Sequence, residues 1–551
     1  MTTLAASRHS TADVADAVVI GAGPNGLVAA NALADAGWDV VLVEQSDRTG
    51  GAVRSDCVTL PGFVTDMFSA FYPLAAASSV IRALDLERHG LTWCRAPSVL
   101  AHALDDGRAA VLHTAVEDTA AGLEEFGAGD GDSWLQLFQA WRRVRDPLLD
   151  ALFTPIPPVR ALLSILRRVG TAGMVDLARL GLLPVRRLGS ESFRGVGGPL
   201  LLTGNSMHSD VPPDSAGSAM LGWLLAMMGQ DVGFPVPRGG AGEFARALTR
   251  RAEAAGAQVR TNALAVDIEV RQGRAHAVTM ADGSRIRARR AVLADVPAPA
   301  LYRDLVGVQH LPNRFVADLD RFQWDNPTIK VNWAVSGRMP WTAPGAHGAG
   351  TVHLGVDLDG FVDMGADLTV GRIPQRPFLL FGQMTTSDPT RSPAGTESTW
   401  AYTHVPHGHD WSGDLLSDHV TLMEAAIERV APTFGDHVLA RHVQSPSDLE
   451  AADPNLVGGA INAGTSALHQ QLFLRPTPGL GRPETPVAGL YLAGASAHPG
   501  GGVHGACGWN AARVALGASG RSGSVRRALA GTAWDRLTRP RNGSSQDMRR
   551  T

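Results

Sequence analysis

At 551 residues, 44% hydrophobic and 19% charged, the chain is too long for one ordinary core, and its formal net charge of -4 excludes the basic excess of a nucleic-acid binder. No apolar run is long enough to span a bilayer, and the Ser-, Thr- and Ala-rich start lacks the charged-then-apolar order of a secretory leader, so it reads as a frayed terminus. The three cysteines, Cys57, Cys94 and Cys507, form no C-x-x-C pair, which excludes dithiol redox chemistry and makes a reducing cytoplasm the expected compartment.

Ala17 to Ile20 is a short apolar strand that ends directly on Gly21-Ala22-Gly23-Pro24-Asn25-Gly26. Leu27, Ala30, Leu33 and Ala34 follow at helical spacing up to Gly37. Asp39 to Val43 is a second strand, closed by Glu44 and Gln45. Strand, glycine turn, helix, strand and acid is the order of a dinucleotide-binding βαβ unit. Gly21 permits the tight turn, Gly23 lets a pyrophosphate approach the backbone, and Gly26 lets helix and strand pack closely. Free N–H groups at the helix start, with Pro24 and Asn25, attract phosphate, while Glu44 is placed to accept from a ribose diol. A glycine pair, Gly50-Gly51, and Arg54 come next; Arg54 is the candidate phosphate cation.

Residues 101–230 contain an amphipathic stretch, Val159, Leu162, Leu163, Leu166 and Val169, with Arg160, Arg167 and Arg168 on other faces. It suits either a membrane-touching lip or core packing, and the breaks at Gly170, Gly173 and Gly181 favour the core. Pro235 to Gly240 then leads into a helix carrying Phe244, Leu248 and Ala252, and a strand-rich segment runs from Gly256 to Asp295 without a second G-x-G-x-x-G, so no separate NAD domain is expected. Within 311–450, Thr328–Val335, 377–384 and 399–405 read as strands of an antiparallel sheet, half-buried on one face, that floors a substrate cavity. The only lysine, Lys330, shares a face with Thr328 and Asn332 there, which leaves a solvent-facing and a cavity-facing reading open. His404, His407 and His409 beside Asp410 sit among Pro and Gly and read as a surface turn rather than a metal site.

Near the end, the strand Leu490–Ala493 runs into Gly494-Ala495-Ser496-Ala497-His498-Pro499-Gly500-Gly501-Gly502-Val503 and a helix to about Leu516. A strand running into a glycine-rich helix start is again a backbone site that favours negative charge. A short helix around 525–537 is expected in the Arg-, Ser- and Gly-rich tail.

The C-terminal string resembles the flavin signature of the phytoene desaturase-like branch of the FAD-dependent amine oxidase superfamily, and Gly50-Gly51 resembles that superfamily's extended N-terminal motif. Gly62-Phe63 with Asp66, Asp388-Pro389 with Pro393, and Gln471 with Arg475-Pro476 are similar too. With Ala52 after the glycine pair and Lys330, the chain looks nearest the uncharacterised branch that includes the pyridine nucleotide-disulphide oxidoreductase domain-containing proteins.

The resemblance implies an α/β (α+β overall) fold in which a Rossmann-like FAD-binding domain, residues 14–100, 231–310 and 451–517, is interleaved with a substrate domain of antiparallel sheet and helices, residues 101–230 and 311–450, between flexible ends at 1–13 and 518–551. It implies FAD as cofactor, the Gly50-Gly51 pair against its phosphates, backbone near Ala265 or Val266 against its adenine, and Gly494, Ala495, Gly501, Gly502 and Val503 around the flavin. It also implies Lys330 on the flavin N5 side. The expected activity moves a hydride from a C–H bond of an apolar or amine-bearing small molecule to flavin N5, with oxygen or a quinone as the final acceptor. The partner is a lipophilic small molecule, and peripheral contact with a membrane would deliver it. The alternatives are a redox-neutral flavin-dependent isomerase and a non-catalytic binder of the Rab GDP-dissociation-inhibitor kind.

Overall fold

The computed structural model describes residues 13–479 and 481–519. The expected tail helix at 525–537 lies outside the described residues, as do 1–12 and 520–551 of the two expected flexible ends.

Two seven-stranded sheets organise the described residues. In the first, Asp13–Ile20 lies between Arg285–Ala294 and Val40–Val43, and Gln258–Arg260 pairs with Val40–Val43, all parallel. Leu490–Leu492 adds parallel to Arg285–Ala294, and Ala265–Arg271 with Arg274–Met280 forms an antiparallel extension. Both faces of the parallel part are covered. Ala17 and Val19 enter a core with the helices Pro24–Asp35, Ala241–Ala254 and Ala506–Ser519, while Val18 and Ile20 enter an opposite core with Leu301 and Phe315. That two-sided burial is why these strands read as continuous apolar runs rather than alternating ones.

The second sheet runs Val438–Gln444, Thr328–Val335, Glu397–His404, Leu379–Gln383, Ala349–Leu354, Ser98–Ala103, Ala109–Leu112. Its neighbours are antiparallel except Ala349–Leu354 beside Ser98–Ala103. Ile329, Val331 and Trp333 pack on one face with residues of the helix Gly413–Val430. Thr328, Lys330 and Asn332 are buried on the other, so the strand expected to be half-exposed is instead covered on both faces. The strand Ser98–Ala103 belongs to this sheet and crosses the boundary expected at residue 100.

Helices between 116 and 232 cover the far end of this sheet. Val159–Leu180 is one of them, bent at Gly170, where φ is 68°. The core reading of this helix holds for part of it: Ala161 and Ile165 are buried and Val169, Met174, Leu177 and Leu180 pack half-buried against the core, while Val159, Leu162, Leu163, Leu166 and Val175 are exposed. Of the three glycines, only Gly170 bends the helix; Gly173 stays helical and Gly181 caps its end.

Candidate active site

A cavity of about 420 Å³ lies between the two sheets. One end is lined by Gly23, Pro24, Asn25, Gly51 and Val53, the other by Lys330, Trp400 and Tyr402, with Ala495, Gly501, Gly502 and Val503 also on its wall.

The N-terminal turn is built to leave no room. Gly21 has φ +90°, and a Cβ there would lie 2.6 Å from the Asp295 carbonyl oxygen. A Cβ on Gly26 would lie 2.0 Å from the Gly21 carbonyl oxygen. Glu44 is buried and accepts from Ala22 N–H and Ser46 N–H, each at 2.8 Å, so the acid closes over the turn with lone pairs still free on both oxygens. The Asn25 Oδ1 is buried without a partner beside the helix start, and an amide turned over at that seat offers N–H to an anion. These features fit a dinucleotide pyrophosphate.

Asp295 does not stand out in the sequence as a site residue, yet it lies at the centre of this end. Its Oδ2 accepts from Gly26 N–H at 2.7 Å. Burial pushes its carboxyl up to about 7; the Gly26 bond opposes this, and the Asp453 and Glu44 charges add to it. An acid held partly protonated is compatible with an anion at the same helix start. A signal was available: Asp295 directly follows the strand Arg285–Ala294, and ligands of open parallel sheets sit at the carboxyl ends of strands.

The segment 461–465 is held from both sides. Asp325 accepts from the N–H groups of Ile461 and Asn462 at 2.8 Å and Gly464 at 3.1 Å. Fully buried Arg475 donates to the carbonyls of Asn462, Thr465 and Ala495 at 3.0, 2.9 and 2.8 Å. One guanidinium thereby joins this segment to the C-terminal motif.

On the substrate side, Lys330 is buried, resolving its two readings in favour of the cavity. Its Nζ donates to the carbonyls of Asp66 and Phe68, the latter at 3.2 Å, and lies 5.2 Å from the Trp400 ring centroid. Burial holds its ammonium down to about 7; the Asp66 carboxylate opposes that shift and the Arg391 guanidinium reinforces it. Asp66 and Arg391 form an ion pair at 2.7 Å with both side chains fully buried. Asp66 also accepts from Ser55 Oγ and Ala241 N–H, and Asp388 accepts from Gly239 N–H. Gly62 lies against Pro393. The scattered similarities at 62–66 and 388–393 therefore form one clamp beside Lys330.

Other expected residues are placed differently. Gln45 is exposed. The Arg54 guanidinium donates to the Ala452 carbonyl and lies 5.1 Å from the Phe68 ring centroid. Ala265 is half-buried and Val266 exposed; it is Asn262 and Ala263 whose N–H groups bond to the carbonyls of Ser46 and Glu44. Gly494 packs against Val296 just outside the cavity wall. His407 and Asp410 are exposed, as a surface turn requires, but His404 is buried on its strand.

Residues 25–516 match the family model described as flavin containing amine oxidoreductase. The chain belongs to that family. Its fold is the α/β flavoprotein fold expected, and its cofactor is FAD. This flavoprotein is 29% identical to pyridine nucleotide-disulfide oxidoreductase domain-containing protein 2 of Rattus norvegicus, over 91% of this chain and 93% of that one. It is 23% identical to the neurosporene-forming phytoene desaturase of Rhodobacter capsulatus, over 90% of this chain and 92% of that one. A putrescine oxidase bound to putrescine shares the fold with a TM-score of 0.57 at 16% identity, covering 91% of this chain and 98% of that one. The flavoprotein is an FAD-dependent oxidoreductase.

Proposed function

We propose that this flavoprotein dehydrogenates an apolar or amine-bearing small molecule at a C–H bond. The observation that carries the reading is the single cavity joining the glycine turn to a buried lysine at the Trp400 and Tyr402 wall. FAD, when bound, supplies the hydride acceptor. The protein supplies the rest. Leu221, Leu224, Leu225 and Met228 exclude water from one wall, Trp400 and Tyr402 orient the substrate from the other, and Lys330 takes up the proton lost beside the reacting carbon. A lysine held near neutrality suits that task at physiological pH.

The first test is a visible spectrum of the purified protein, followed by denaturation and identification of the released flavin. Anaerobic mixing with terpenes, alcohols and primary amines is expected to bleach the flavin with at least one class. Bound FAD that no donor class reduces would overturn the dehydrogenase reading and favour an isomerase acting with reduced flavin.

Delivery of such a substrate is read from the exposed helix face. No helix among the described residues is long and apolar enough to cross a membrane. Val159, Leu162, Leu163 and Leu166 nonetheless face outward among Arg160, Arg167 and Arg168, the pairing that suits an anionic lipid surface. The protein is expected to co-sediment with vesicles containing phosphatidylglycerol at low salt, and Leu162→Glu with Leu166→Glu to abolish this. Equal sedimentation of the variant would remove the face from the interaction.

A further inference from the structure

The cavity has a second polar region, well away from Lys330, that the proposed chemistry does not use. Asn205 and Thr351 line it, each 1% exposed, and Asn205 Oδ1 and Thr351 Oγ1 are buried with no hydrogen-bond partner. The orientation of Asn205 is fixed, because its Nδ2 donates to the Leu201 carbonyl at 2.8 Å and leaves the oxygen toward the cavity. His208 lines the same corner, and its Nε2 lies 2.9 Å from His353 Nε2. Thr351 and His353 share one face of a strand, and Gly204, next to Asn205, abuts the His353 ring.

The hydrogens in this cluster follow from what is unpaired. His353 Nδ1 has no partner, and burying a bare nitrogen is less costly than burying an orphaned N–H. His353 therefore carries its hydrogen on Nε2 and donates it to His208 Nε2. His208 in turn carries its hydrogen on Nδ1, the nitrogen not engaged with His353. His102 follows the same rule, with Nε2 at 3.1 Å from the Val356 carbonyl and Nδ1 unpaired. Burial keeps both His208 and His353 uncharged at neutral pH. The corner thus offers a donor from His208, an acceptor from Asn205, a hydroxyl from Thr351 and no positive charge from its own side chains.

A hydroxyl matches that set, since it donates to Asn205 Oδ1 and accepts from His208 Nδ1. A carboxylate would meet the Asn205 oxygen without a cation, and an ester or ketone would leave that oxygen unpaired. The span to Lys330 is set by the sheet. Lys330 pairs with Tyr402, Tyr402 with Leu380, and Leu380 with His353, which makes three strand spacings, roughly 14 Å. Apolar side chains of the helix Ser218–Val232 line the cavity as well.

We propose that Asn205, His208 and Thr351 form a recognition site for a hydroxyl end group, so that the substrate is an apolar molecule carrying an alcohol remote from the bond that reacts. The proposal rests on the dehydrogenase reading only for which bond reacts; the end group is read by binding alone.

The test titrates FAD-loaded, full-length protein with n-decane, n-decanol, methyl decanoate and n-decylamine, following quenching of tryptophan fluorescence, since Trp400 lines the cavity. n-Decanol is expected to bind about tenfold more tightly than n-decane, with the ester between them. Thr351→Val and Asn205→Leu are each expected to remove most of that advantage while leaving n-decane unchanged. Thr351→Val is nearly isosteric and keeps the measurement available should Asn205→Leu, which loses its bond to Leu201, fail to fold. Equal binding of n-decane and n-decanol, tightest binding by n-decylamine, or an advantage unaltered in the variants would overturn the proposal. An alcohol preference in a protein whose flavin no donor reduces would sink the dehydrogenase reading and leave the end-group site standing.

Discussion

Arg391→Met is expected to destabilise the protein by about 3–5 kcal/mol, because it leaves the Asp66 carboxylate buried without its countercharge. For cooperative unfolding of 551 residues at about 2.1 cal/mol/K per residue, that is a fall of roughly 3–4 °C in Tm. The loss should not be read as the worth of the ion pair. Asp66→Asn combined with Arg391→Met removes both charges and lets the asparagine oxygen keep the bonds from Ser55 Oγ and Ala241 N–H. The double variant is therefore expected to be more stable than Arg391→Met alone, a coupling that calorimetry of the four proteins would measure. A double variant no better than Arg391→Met would mean that the clamp fails through lost packing rather than through an orphaned charge. The position matters to the site because the Asp66 backbone carbonyl is one of the two that receive Lys330 Nζ. The same residue thus holds the clamp through its side chain and the lysine through its backbone.

How far the site was legible follows from the range of each interaction. Gly21, Gly23, Gly26 and Glu44 are close in sequence, and their jobs are set by one turn, so spacing alone reveals them. Leu490–Leu492 and the glycines after it are local in the same way. Lys330 shows where local pattern stops. Alternation correctly groups it with Thr328 and Asn332, but alternation gives a face and not what covers that face. Here a cavity wall and neighbouring strands cover it. The helix Val159–Leu180 divides: Ile165, Val169 and Leu177 pack on the core, whereas Leu162, Leu163 and Leu166 stay exposed, and periodicity alone does not say which residues a neighbour will cover. Asp295 on Gly26, Arg391 on Asp66 and His353 on His208 join residues distant in the chain, and no window of sequence contains both partners. The hydroxyl corner is of that kind. Asn205 and Thr351 are unremarkable in sequence and become informative only once their unpaired atoms face the same space.

Lys330→Met is expected to slow flavin reduction by the physiological donor about 10²–10⁴-fold, the range for loss of a positioned proton acceptor, with FAD content unchanged. Stability should move the other way. In the folded protein the ammonium is held down to about 7, well below its ordinary value, so the unfolded chain binds a proton that the folded chain sheds. The wild-type protein therefore gains stability as pH rises from about 7 toward the ordinary lysine range, and below about 7 it carries the full cost of a buried charge. The methionine variant lacks that gain and is expected to match or exceed wild type in Tm at pH 7. A variant that is slower yet no less stable has lost chemistry rather than structure. The pH profile separates the two roles further. Wild-type reduction should rise through a pKa near 7 and level off, whereas Lys330→Met should show no such rise. Because the Arg391 charge helps hold the lysine down, Arg391→Met, assayed below its own Tm, should shift that rise to higher pH. A profile that keeps the wild-type pKa in Lys330→Met would assign the proton step to another group, and an unshifted profile in Arg391→Met would show that the lysine is tuned by burial alone.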